Sequence, residues 1–462
     1  SGVTRNVQWR KTQLQALKKM AFENQEEIIS AVYNDLKKPR FEVMTTELAM
    51  FFEDVDLTLE HLDEWVKPRS VAKPNMLVWG MDKIERVPQP YGVMLIIVPW
   101  NYPIQLSLVP LVGAIAAGNC VIIKPSEIGT HSEKLLAELI PKYLDQSAFA
   151  VVTGGVPEIQ DLLSNQFDHI LYTGSTAVGK IIMAAAAKHL TPVTLELGGK
   201  SPCIIDATAD MYVAARRVAF GKLINSGQSC IAPDYVLIEK NAEQKFIDQY
   251  RKVVISMLGE NPQQSDSYAR IINTRHFDRI AKLMEKGETV FGGEMDRDDL
   301  YIAPTVVRNI SLNDPVMQEE IFGPVLPILT FNKIDEALDI VNDREKPLAL
   351  YVFSKQKKMV DYVRDNTSSG GFTANDTMTH AACNTLPFGG VGPSGIGGYH
   401  GKHSFEAFSH LKPCLKKYPG LEKLNDVRIA PYDKKKLSTV CWFLGYPTSL
   451  NSSHLYSKII KF

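Results

Sequence analysis

The sequence predicts an α/β protein in which a doubly wound parallel sheet is followed by a second α/β domain. From Tyr91 onward, short β-branched runs alternate with helix-like segments, which is the pattern of a doubly wound sheet. A second alternation runs from about Cys203 to Thr373. The chain has 462 residues, enough for two or three folded units that each bury a core.

The individual elements follow from hydrophobic periodicity. The first 70 residues place Leu14, Leu17 and Met20 at helical spacing, which predicts two or three amphipathic helices. In the first alternation, strands are predicted at 93–98, 120–123, 149–152, 169–172 and 193–197, with helices at 106–117, 132–144, 157–163 and 177–189. In the second, strands are predicted at 235–238, 325–330 and 348–353. Residues 384–398 are rich in Gly and Pro and are expected to form a loop, and the tail from Lys434 shows little periodicity.

Composition excludes several classes of protein. The chain carries 51 Lys and Arg against 52 Asp and Glu, without the surplus of cations that a duplex nucleic-acid binder needs. The six cysteines form no C-x-x-C pair and are typical of free thiols in a reducing compartment. The N-terminus lacks the apolar segment of a secretory signal, and the longest apolar stretches are too short or too interrupted to span a bilayer. We therefore expect a cytoplasmic globular enzyme.

Ligands of doubly wound sheets bind at the carboxyl ends of the strands, so the loops after the predicted strands are the first places to look for a site. Cys230 closes the polar loop NSGQSC, just after an amphipathic segment that ends at Ile224. The other cysteines lie in an apolar strand, after a Pro at a strand start, or in predicted loops without comparable polar partners: Cys120, Cys203, Cys383, Cys414 and Cys441. A single cysteine is often just a small buried hydrophobe, but the polar context favours Cys230 as a nucleophile.

Two polar residues at predicted strand ends are candidate helpers of Cys230. Glu196 ends the strand TPVTLE and can act as a general base if an apolar pocket raises its pKa; the alternative is a solvated strand-end carboxylate. Asn101 follows the first strand in VPWNYP, and its amide can stabilise a developing oxyanion. The alternative for Asn101 is an N-cap of the following helix.

Two glycine-rich segments compete as the phosphate-binding loop. Gly390 to Gly395 spells G-x-G-x-x-G, but Pro393 lies inside it and no helix follows, so the context of a dinucleotide fingerprint is missing. The run from Thr173 to Gly179 follows a strand and opens a helix, which is the position that favours a pyrophosphate.

Lys124 and Glu127, in IKPSE, follow another strand end and suit a ribose diol. Because Glu127 would repel a 2′-phosphate, NAD is favoured over NADP unless this side chain swings away. The alternative is a surface ion pair between Lys124 and Glu127. No metal site is expected, since His400, His403 and His410 lack the spacing and companion ligands of one.

Seven motifs taken together resemble the aldehyde dehydrogenase superfamily over about residues 4–425. They are VPWNYP from Val98, IKPSE from Ile123, YTGS from Tyr172, LELGGKSP from Leu195, GQSC from Gly227, EEIFGP from Glu319 and PFGGVGPSG from Pro387. The segments NSGQSCIAPDY from Asn225 and YHGKHSF from Tyr399 are most similar to the class 3 branch, which includes fatty-aldehyde dehydrogenases.

The resemblance implies an aldehyde dehydrogenase fold and a set of residue roles. Cys230 would be the nucleophile and Glu196 the general base, and Asn101 with the Cys230 backbone N–H would form the oxyanion hole. For the cofactor, NAD with NADP as an alternative, it implies a ribose site at Lys124 and Glu127 and a nicotinamide site at Glu320 and Phe322. It also implies that a glycine-containing run approaches the cofactor: Gly174, Ser175, Thr176, Ala177, Val178 and Gly179.

The resemblance also implies a domain plan and partners. It assigns residues 1–70 and 91–197 to a Rossmann-like cofactor domain, 198–382 to a catalytic domain, 71–90 and 383–430 to a bridging and oligomerisation segment, and 431–462 to a tail. We expect a homodimer that oxidises medium- or long-chain aliphatic or aromatic aldehydes, with no nucleic-acid partner. We expect no full membrane anchor, because the tail is apolar for under ten residues, but the basic run at 434–436 followed by Trp442 and Phe443 could touch a membrane surface.

Two alternatives differ in function. A semialdehyde or phosphorylated-aldehyde dehydrogenase would need cationic groups to hold the anion of its substrate, and no Arg lies in the substrate-side motifs. A crystallin-like protein would keep the fold without turnover.

Overall fold

The computed structural model describes residues 2–74, 79–420, 422–444 and 446. These residues form two compact units. The larger comprises the described residues of Ser1–Trp65 and Pro90–Ser409, and the smaller comprises those of Val66–Gln89 and His410–Phe462. Of the predicted tail 431–462, residues 445 and 447–462 lie outside the described part of the chain.

The strands are numbered in chain order. They are β1 Arg69–Ser70, β2 Lys83–Pro90, β3 Val93–Ile97, β4 Cys120–Lys124, β5 Phe149–Val151, β6 His169–Thr173, β7 Val193–Glu196, β8 Pro202–Ile205, β9 Tyr235–Glu239, β10 Glu288–Phe291, β11 Met295–Asp296, β12 Tyr301–Ile302, β13 Thr305–Arg308, β14 Val325–Phe331, β15 Ala349–Phe353, β16 Gly371–Ala374, β17 Gly395–Ile396 and β18 Ser409–Lys416.

The helices are numbered in the same way. They are α1 Val7–Glu23, α2 Gln25–Leu36, α3 Arg40–Val43, α4 Ala49–Trp65, α5 Gln105–Ala117, α6 Thr130–Tyr143, α7 Val156–Ser164, α8 Thr176–Ala187, α9 Met211–Leu223, α10 Glu243–Leu258, α11 Thr274–Leu283, α12 Pro315–Gln318, α13 Ile334–Asn342, α14 Lys357–Asp365, α15 Gly401–Ala407, α16 Glu422–Asn425 and α17 Lys434–Leu444. A π-helical turn, Met44–Leu48, joins α3 to α4.

The first sheet of the larger unit has six strands in the order β17-β7-β6-β3-β4-β5. Strands β3 to β7 pair in parallel, as the alternation of strands and helices predicts. Each predicted strand and helix of this alternation is present, with its ends shifted by no more than two residues. The agreement is close because these strands are buried, so they form near-continuous apolar runs in the sequence.

The second sheet has seven strands in the order β10-β13-β14-β9-β8-β15-β16. Its pairs are parallel apart from the antiparallel pair β10–β13. The predicted strands at 235–238, 325–330 and 348–353 correspond to β9, β14 and β15. The core on this sheet includes Leu237, Val325 and Leu350, which are fully buried. The predicted α/β class with two parallel-sheet layers is therefore confirmed.

The structure corrects three details of the sequence interpretation. The segment expected to be a loop at 384–398 contains β17, which pairs antiparallel with β7 through Gly395↔Glu196 and Ile396↔Leu195. The tail beyond Lys434 forms α17, and the Asp433 carboxylate accepts a hydrogen bond from the Lys436 N–H in its first turn. Of the cysteines expected in loops, Cys414 lies in β18 and Cys441 in α17.

The smaller unit contains a three-stranded sheet in the order β1-β2-β18. Within it, Asp82 accepts hydrogen bonds from the Lys417 ammonium at 2.6 Å and from the Tyr418 N–H at 3.0 Å. Among the described residues, the helices are too short or too polar to cross a bilayer.

The order of the first sheet fixes the position of the site. Strands β3, β6 and β7 lie in the middle of the sheet and run in parallel, so their carboxyl ends meet at one edge. Asn101 follows β3, Gly174 follows β6 and Glu196 ends β7. Three of the predicted site residues are thus brought to one edge by sheet topology alone.

Candidate active site

Two cavities of the larger unit share Thr173, Glu196 and Cys230 in their walls. The first, of about 610 Å³, is a cleft along the carboxyl edge of the six-stranded sheet, and its lining includes several charged side chains. The second, of about 560 Å³, has mostly apolar walls and is called the tunnel below. A thiol and a carboxyl group therefore lie where the cleft with charged lining residues and the apolar tunnel meet.

The loop that carries Cys230 contains three consecutive left-handed residues. Asn225, Ser226 and Gly227 have φ values of 51°, 50° and 74°. A non-glycine residue in this conformation is strained by about 1–3 kcal/mol and needs compensating contacts. The Asn225 N–H donates to the Glu42 carboxylate at 2.8 Å, and the Ser226 hydroxyl donates to the Ala269 carbonyl at 2.7 Å.

Gln228 anchors the rest of this loop. Its side-chain NH₂ donates to the carbonyls of Asn225 at 3.0 Å and Arg270 at 2.9 Å, and its Oε1 accepts from the Ile272 N–H at 3.0 Å. The backbone around Cys230 is thus cross-linked by hydrogen bonds to neighbouring segments. Gln228, which belongs to the GQSC motif, therefore stabilises the conformation of this loop.

The surroundings of Cys230 disfavour the thiolate. Burial raises the pKa of the Cys230 thiol above its usual range, and the nearby carboxyl groups of Glu320 and Glu196 raise it further. The backbone N–H groups of Cys230 and Ile231 act in the opposite direction but do not reverse the shift. In the absence of ligands the thiol is therefore neutral at physiological pH, and its proton must be removed before it can attack.

Glu196, the predicted general base, lies within the same environment. Its side chain is 1% exposed, which excludes the solvated strand-end alternative. Neither carboxylate oxygen has a hydrogen-bond partner among the described residues, and burial raises the pKa of Glu196 well above its usual value. A buried carboxyl group with a raised pKa and two free oxygens is suited to exchanging protons near neutral pH.

Asn101 is not the N-cap of the following helix. Helix α5 starts after Ile104, and the Glu47 carboxylate accepts from the N–H groups of Ile104 at 2.8 Å and Gln105 at 3.3 Å. One hydrogen of the Asn101 amide goes to the Gln228 carbonyl, with a nitrogen-to-oxygen distance of 3.0 Å. Since an amide nitrogen carries two hydrogens, a second donor remains for a ligand in the cleft that Asn101 lines.

Part of the predicted glycine-containing run reaches the cleft. Gly174, Ser175 and Thr176 line it, and Ser175 is the N-cap of α8, its hydroxyl accepting from the Val178 N–H at 3.4 Å. Ala177, Val178 and Gly179 belong to the first turn of α8 and are not among the lining residues. Gly179 instead allows close packing, because a Cβ there would lie 2.7 Å from the Leu197 side chain.

The other wall of the cleft carries Glu320 and Phe322, to which the family resemblance assigns the nicotinamide site. Burial, followed by the nearby Asp234, raises the pKa of Glu320 to about 8. A Cβ at Gly198 would lie 2.1 Å from Glu320 Oε2, so a glycine is needed there for the carboxyl group to keep its position. Phe322 packs edge-on against Trp100, with ring centroids 5.4 Å apart.

Lys124 and Glu127 lie at the end of β4 but do not line the cleft. The Lys124 ammonium donates to the Pro125 carbonyl and lies 3.8 Å from Glu127 Oε2 and 3.6 Å from Glu133 Oε1. The Lys124 side chain is 1% exposed, and that of Glu127 is 41% exposed. Because Lys124 is buried, the two residues do not form an ordinary surface ion pair.

The sequence interpretation missed the cations of the cleft. Lys200, Arg279 and Arg344 all line it. The Lys200 ammonium binds the Asp234 carboxylate at 2.5 Å, and Arg279 donates to the backbone carbonyl of Glu320 at 3.1 Å. Lys200 could have been found, because it follows two glycines within a motif. Arg279 and Arg344 lie outside the motifs, so no signal in the sequence marked them.

The walls of the tunnel were missed as well. They come from segments far apart in the chain, including Phe41, Met50, Tyr102, Leu106, Phe220, Met257 and Leu258. None of the described residues that line the tunnel is a Lys or Arg. In the described chain, no group of three or more His, Cys, Asp or Glu side chains is arranged to hold a metal ion.

Comparisons with known proteins extend these findings. The model of the aldehyde dehydrogenase family matches residues 4–414. Aldehyde dehydrogenase family 3 member A2 of Mus musculus is 51% identical over 444 residues, which cover 96% of this chain and 91% of that protein. The dimeric NADP-preferring aldehyde dehydrogenase of Rattus norvegicus is 49% identical over 435 residues, covering 94% and 96%. The substrate-bound state of Staphylococcus aureus AldH has a TM-score of 0.93 and 42% identity, covering 96% of each chain.

Proposed function

Because the chain belongs to the aldehyde dehydrogenase family, whose members oxidise aldehydes to carboxylic acids with NAD(P)⁺, we propose that Cys230, Glu196 and Asn101 carry out this reaction here. We propose that the substrates are medium- and long-chain aliphatic or aromatic aldehydes. The observation that supports both proposals is the mostly apolar tunnel whose walls include Cys230 and Glu196.

The tunnel favours apolar substrates over anionic ones. Its walls include Met50, Phe220 and Met257, and no Lys or Arg is among its described lining residues. A semialdehyde or phosphorylated aldehyde would bring its anion into these walls without a partner, and an unpaired buried charge is strongly disfavoured. A semialdehyde dehydrogenase is therefore not favoured, and a protein without turnover is not favoured by the family assignment.

The cleft suits a nicotinamide dinucleotide. The N-terminus of α8 at Ser175 offers backbone N–H groups and a positive dipole end, which favour a pyrophosphate. Lys200, Arg279 and Arg344 line the cleft together with several carboxyl groups, and that of Glu320 can accept hydrogen bonds from ribose hydroxyls. When bound, NAD(P)⁺ supplies the acceptor for the hydride that leaves the substrate.

The first step needs a thiolate at Cys230. Glu196, which lines both cavities with Cys230, takes the thiol proton, and the sulfur attacks the carbonyl carbon of an aldehyde held in the tunnel. The product is a thiohemiacetal whose oxygen carries a negative charge. The free N–H of the Asn101 amide and the Cys230 backbone N–H donate to this oxygen, and one such donor typically contributes about 3–4 kcal/mol to transition-state stabilisation.

Collapse of the oxyanion restores the C=O bond and expels the hydride from the former aldehyde carbon, leaving a thioester on Cys230. Glu196 returns its first proton to solvent and then deprotonates a water molecule. The resulting hydroxide attacks the thioester, the C–S bond breaks, and the carboxylic acid and the Cys230 sulfur separate. The two unpartnered oxygens of Glu196 leave it free to serve in both proton transfers.

Lys124 and Glu127 are proposed to hold the adenosine ribose next to the cleft. The Glu127 side chain is 41% exposed and can rotate away from a 2′-phosphate, so we propose that both NAD⁺ and NADP⁺ are accepted. Replacing Glu127 with Gln should lower the KM for NADP⁺ more than that for NAD⁺, because one repulsive charge is lost. An unchanged ratio of the two KM values would contradict a ribose role for Glu127.

We also propose that the enzyme is a cytoplasmic homodimer with a tail that touches membranes weakly. The rat relative is named as dimeric. In the tail, α17 begins with a basic run, and Leu437, Trp442 and Leu444 are more than half exposed. Sedimentation of the full chain tests the dimer, and co-flotation with anionic vesicles against neutral ones tests the tail.

We propose further that different parts of the chain serve different functions. Residues 1–70 and 91–197 would bind the cofactor, 198–382 would carry the nucleophile, and 71–90 with 383–430 would serve in oligomerisation. Deleting 431–462 would then leave aldehyde oxidation in place.

A substrate panel tests the proposed specificity most directly. Values of kcat/KM are compared for hexadecanal, benzaldehyde and succinate semialdehyde with NAD⁺ and with NADP⁺. We expect hexadecanal and benzaldehyde to exceed succinate semialdehyde by at least about tenfold, which corresponds to about 1.4 kcal/mol. A preference for succinate semialdehyde would overturn the proposal.

A further inference from the structure

A buried ion pair lies directly behind the proposed oxyanion donor. The Lys38 ammonium and the Glu47 carboxylate are 2.7 Å apart, and both side chains are 0% exposed. Neither residue belongs to a motif that the sequence singled out. Since burying two charges requires removing both from water, a pair of this kind needs a reason other than stability.

The two charges hold the chain around Asn101 at both ends. The Lys38 ammonium donates to the Asn101 backbone carbonyl at 2.9 Å and lies 4.0 Å from the centre of the Tyr102 ring. The second oxygen of Glu47 accepts from the N–H groups of Ile104 at 2.8 Å and Gln105 at 3.3 Å. The pair thus bridges the segment from Asn101 to the start of α5.

The hydrogen bond from Lys38 is the charged member of the set that holds Asn101. The Asn101 carbonyl also accepts from the Asn225 side chain at 2.9 Å, and the Asn101 amide donates to the Gln228 carbonyl at 3.0 Å. Hydrogen bonds from a charged donor are shorter and stronger than neutral ones. Without Lys38, the remaining two bonds would tie Asn101 only to the loop that ends at Cys230.

We propose that Lys38, held in place by Glu47, is a positioning residue that fixes the Asn101 backbone so that its amide donates to the oxyanion formed from the aldehyde. This inference rests on the proposed role of Asn101 and deepens it. A donor that moves by about 1 Å can lose about a hundredfold in rate, so the effect belongs to kcat. Binding of NAD⁺ depends on the cleft, and neither Lys38 nor Glu47 is among its lining residues.

The test uses the double variant Lys38→Met/Glu47→Gln in the full chain. It removes both charges together, so no unpaired buried charge remains, and the new amide at position 47 can still accept a hydrogen bond from the start of α5. We expect kcat with hexadecanal to fall about tenfold to a hundredfold while the KM for NAD⁺ stays within about twofold of the wild type. Rates are expressed per folded enzyme, counted by NADH binding.

A double-mutant cycle with Asn101→Ala separates positioning from a general structural effect. If Lys38 acts through Asn101, removing the charge pair in the Asn101→Ala background should change kcat by less than about twofold. An equal loss of kcat in both backgrounds would overturn the inference, as would wild-type kcat in the Lys38→Met/Glu47→Gln variant.

Two single variants, Arg40→Gln and Asn101→Ala, distinguish failure of the positioning role from failure of the proposed role of Asn101. Arg40→Gln breaks an exposed ion pair with Glu26, at 2.6 Å, close to Lys38 in the chain, and should leave kcat unchanged. If Asn101→Ala itself leaves kcat unchanged, the proposed role of Asn101 fails. If Asn101→Ala lowers kcat and the charge-pair variant does not, only the positioning role fails.

Discussion

At the scale of single residues, the proposed chemistry depends on the Cys230 thiol and the Glu196 carboxyl group, which both lie in a buried, poorly solvated environment. Burial raises the pKa of the Cys230 thiol and that of the Glu196 carboxyl group, and the charge of Glu196 raises the pKa of the thiol further. Both shifts disfavour the deprotonated forms, and the proposed reaction requires an ionised Glu196 to take the thiol proton. Proton release, more than positioning of the sulfur, should limit the free enzyme at low pH.

The upward pKa shifts of Cys230 and Glu196 predict how the activity of the wild type depends on pH. Because the pKa of Glu196 lies above its usual range, the fraction of enzyme in which Glu196 is ionised and can take the thiol proton increases as pH rises. We expect kcat/KM for hexadecanal to rise with pH through neutrality, as measured by NADH formation in a constant-ionic-strength buffer series. A profile that falls over this range would contradict the assignment.

Replacing Glu196 with Gln removes the base but keeps the shape of the side chain. We expect steady-state turnover to fall by about 10²–10⁴-fold, the usual contribution of a general base. A slow burst of NADH should still precede the stalled phase, because hydride transfer comes before thioester hydrolysis. Undiminished steady-state turnover would show that another group activates the water.

Glu42 is a further acid whose ionisation should affect the substrate. It lines the tunnel, and burial raises its pKa to about 7, against the opposing influence of the Asn225 N–H and Lys38. Above this pH a negative charge forms in the wall beside the alkyl chain. We expect the KM for hexadecanal to rise across this range in the wild type and to stay flat in Glu42→Gln. An equal rise in both would assign the effect to another group.

At the scale of elements, the loop that carries Cys230 depends on a glycine. Gly227 has φ 74°, and a Cβ there would lie 2.3 Å from the Gly323 carbonyl oxygen, which is backbone and cannot move aside easily. Gly259 has a similar φ of 83°, but a Cβ there would have nothing within 4 Å. Both glycines have a positive φ, but of the two only Gly227 has a backbone atom within 3 Å of the added Cβ.

The Gly227→Ala and Gly259→Ala variants separate these contributions. At Gly259, φ 83° and ψ 179° lie in a region nearly restricted to glycine, so we expect Gly259→Ala to lower the free energy of unfolding by about 1–3 kcal/mol from strain alone. Gly227→Ala should lose more, together with activity, because the Cys230 loop must shift. Urea unfolding midpoints and kcat measure both effects. Equal losses for the two variants would show that the Gly323 contact does not constrain the loop.

Strands and helices of the first sheet could be predicted from the sequence, and one strand could not. The strands β3, β4, β6 and β7 are buried apolar runs bounded by turn residues, so their positions follow from local pattern. Strand β17 has two residues, Gly395 and Ile396, and exists only because β7 offers it an unpaired edge. That partner lies far away in the chain, and no local pattern records it.

At the scale of the whole molecule, the family, the α/β fold and aldehyde oxidation predicted from motifs are confirmed, while the roles of individual residues stay predictions. The cleft edge was predictable because topology places Asn101, Gly174 and Glu196 together. The tunnel was not, since its walls come from segments such as 39–50, 220–231 and 378–400 that share no motif. The ion pair between Lys38 and Glu47 could not be predicted either, because neither residue belongs to a motif.

The apolar tunnel predicts how selectivity should change. Met257 lines the tunnel and is 39% exposed, so a lysine there can be accommodated near the protein surface. We expect Met257→Lys to lower kcat/KM for hexadecanal and to raise it for succinate semialdehyde. Met295→Lys, at a methionine that is 43% exposed and outside the tunnel, is the matched control. The same change in both variants would mean that the tunnel does not select the substrate.

The central claim is that Cys230 attacks an apolar aldehyde bound in the tunnel that it lines. The decisive measurement is NADH formation from hexadecanal and NAD⁺ by Cys230→Ala, with NAD⁺ binding measured on the same sample. Cys383→Ala is the control, because hydrogen bonds from Thr385 lower the pKa of that thiol although it lines neither cavity. We predict that Cys230→Ala forms no NADH yet binds NAD⁺ like the wild type, while Cys383→Ala stays active. Undiminished NADH formation by Cys230→Ala would contradict the account.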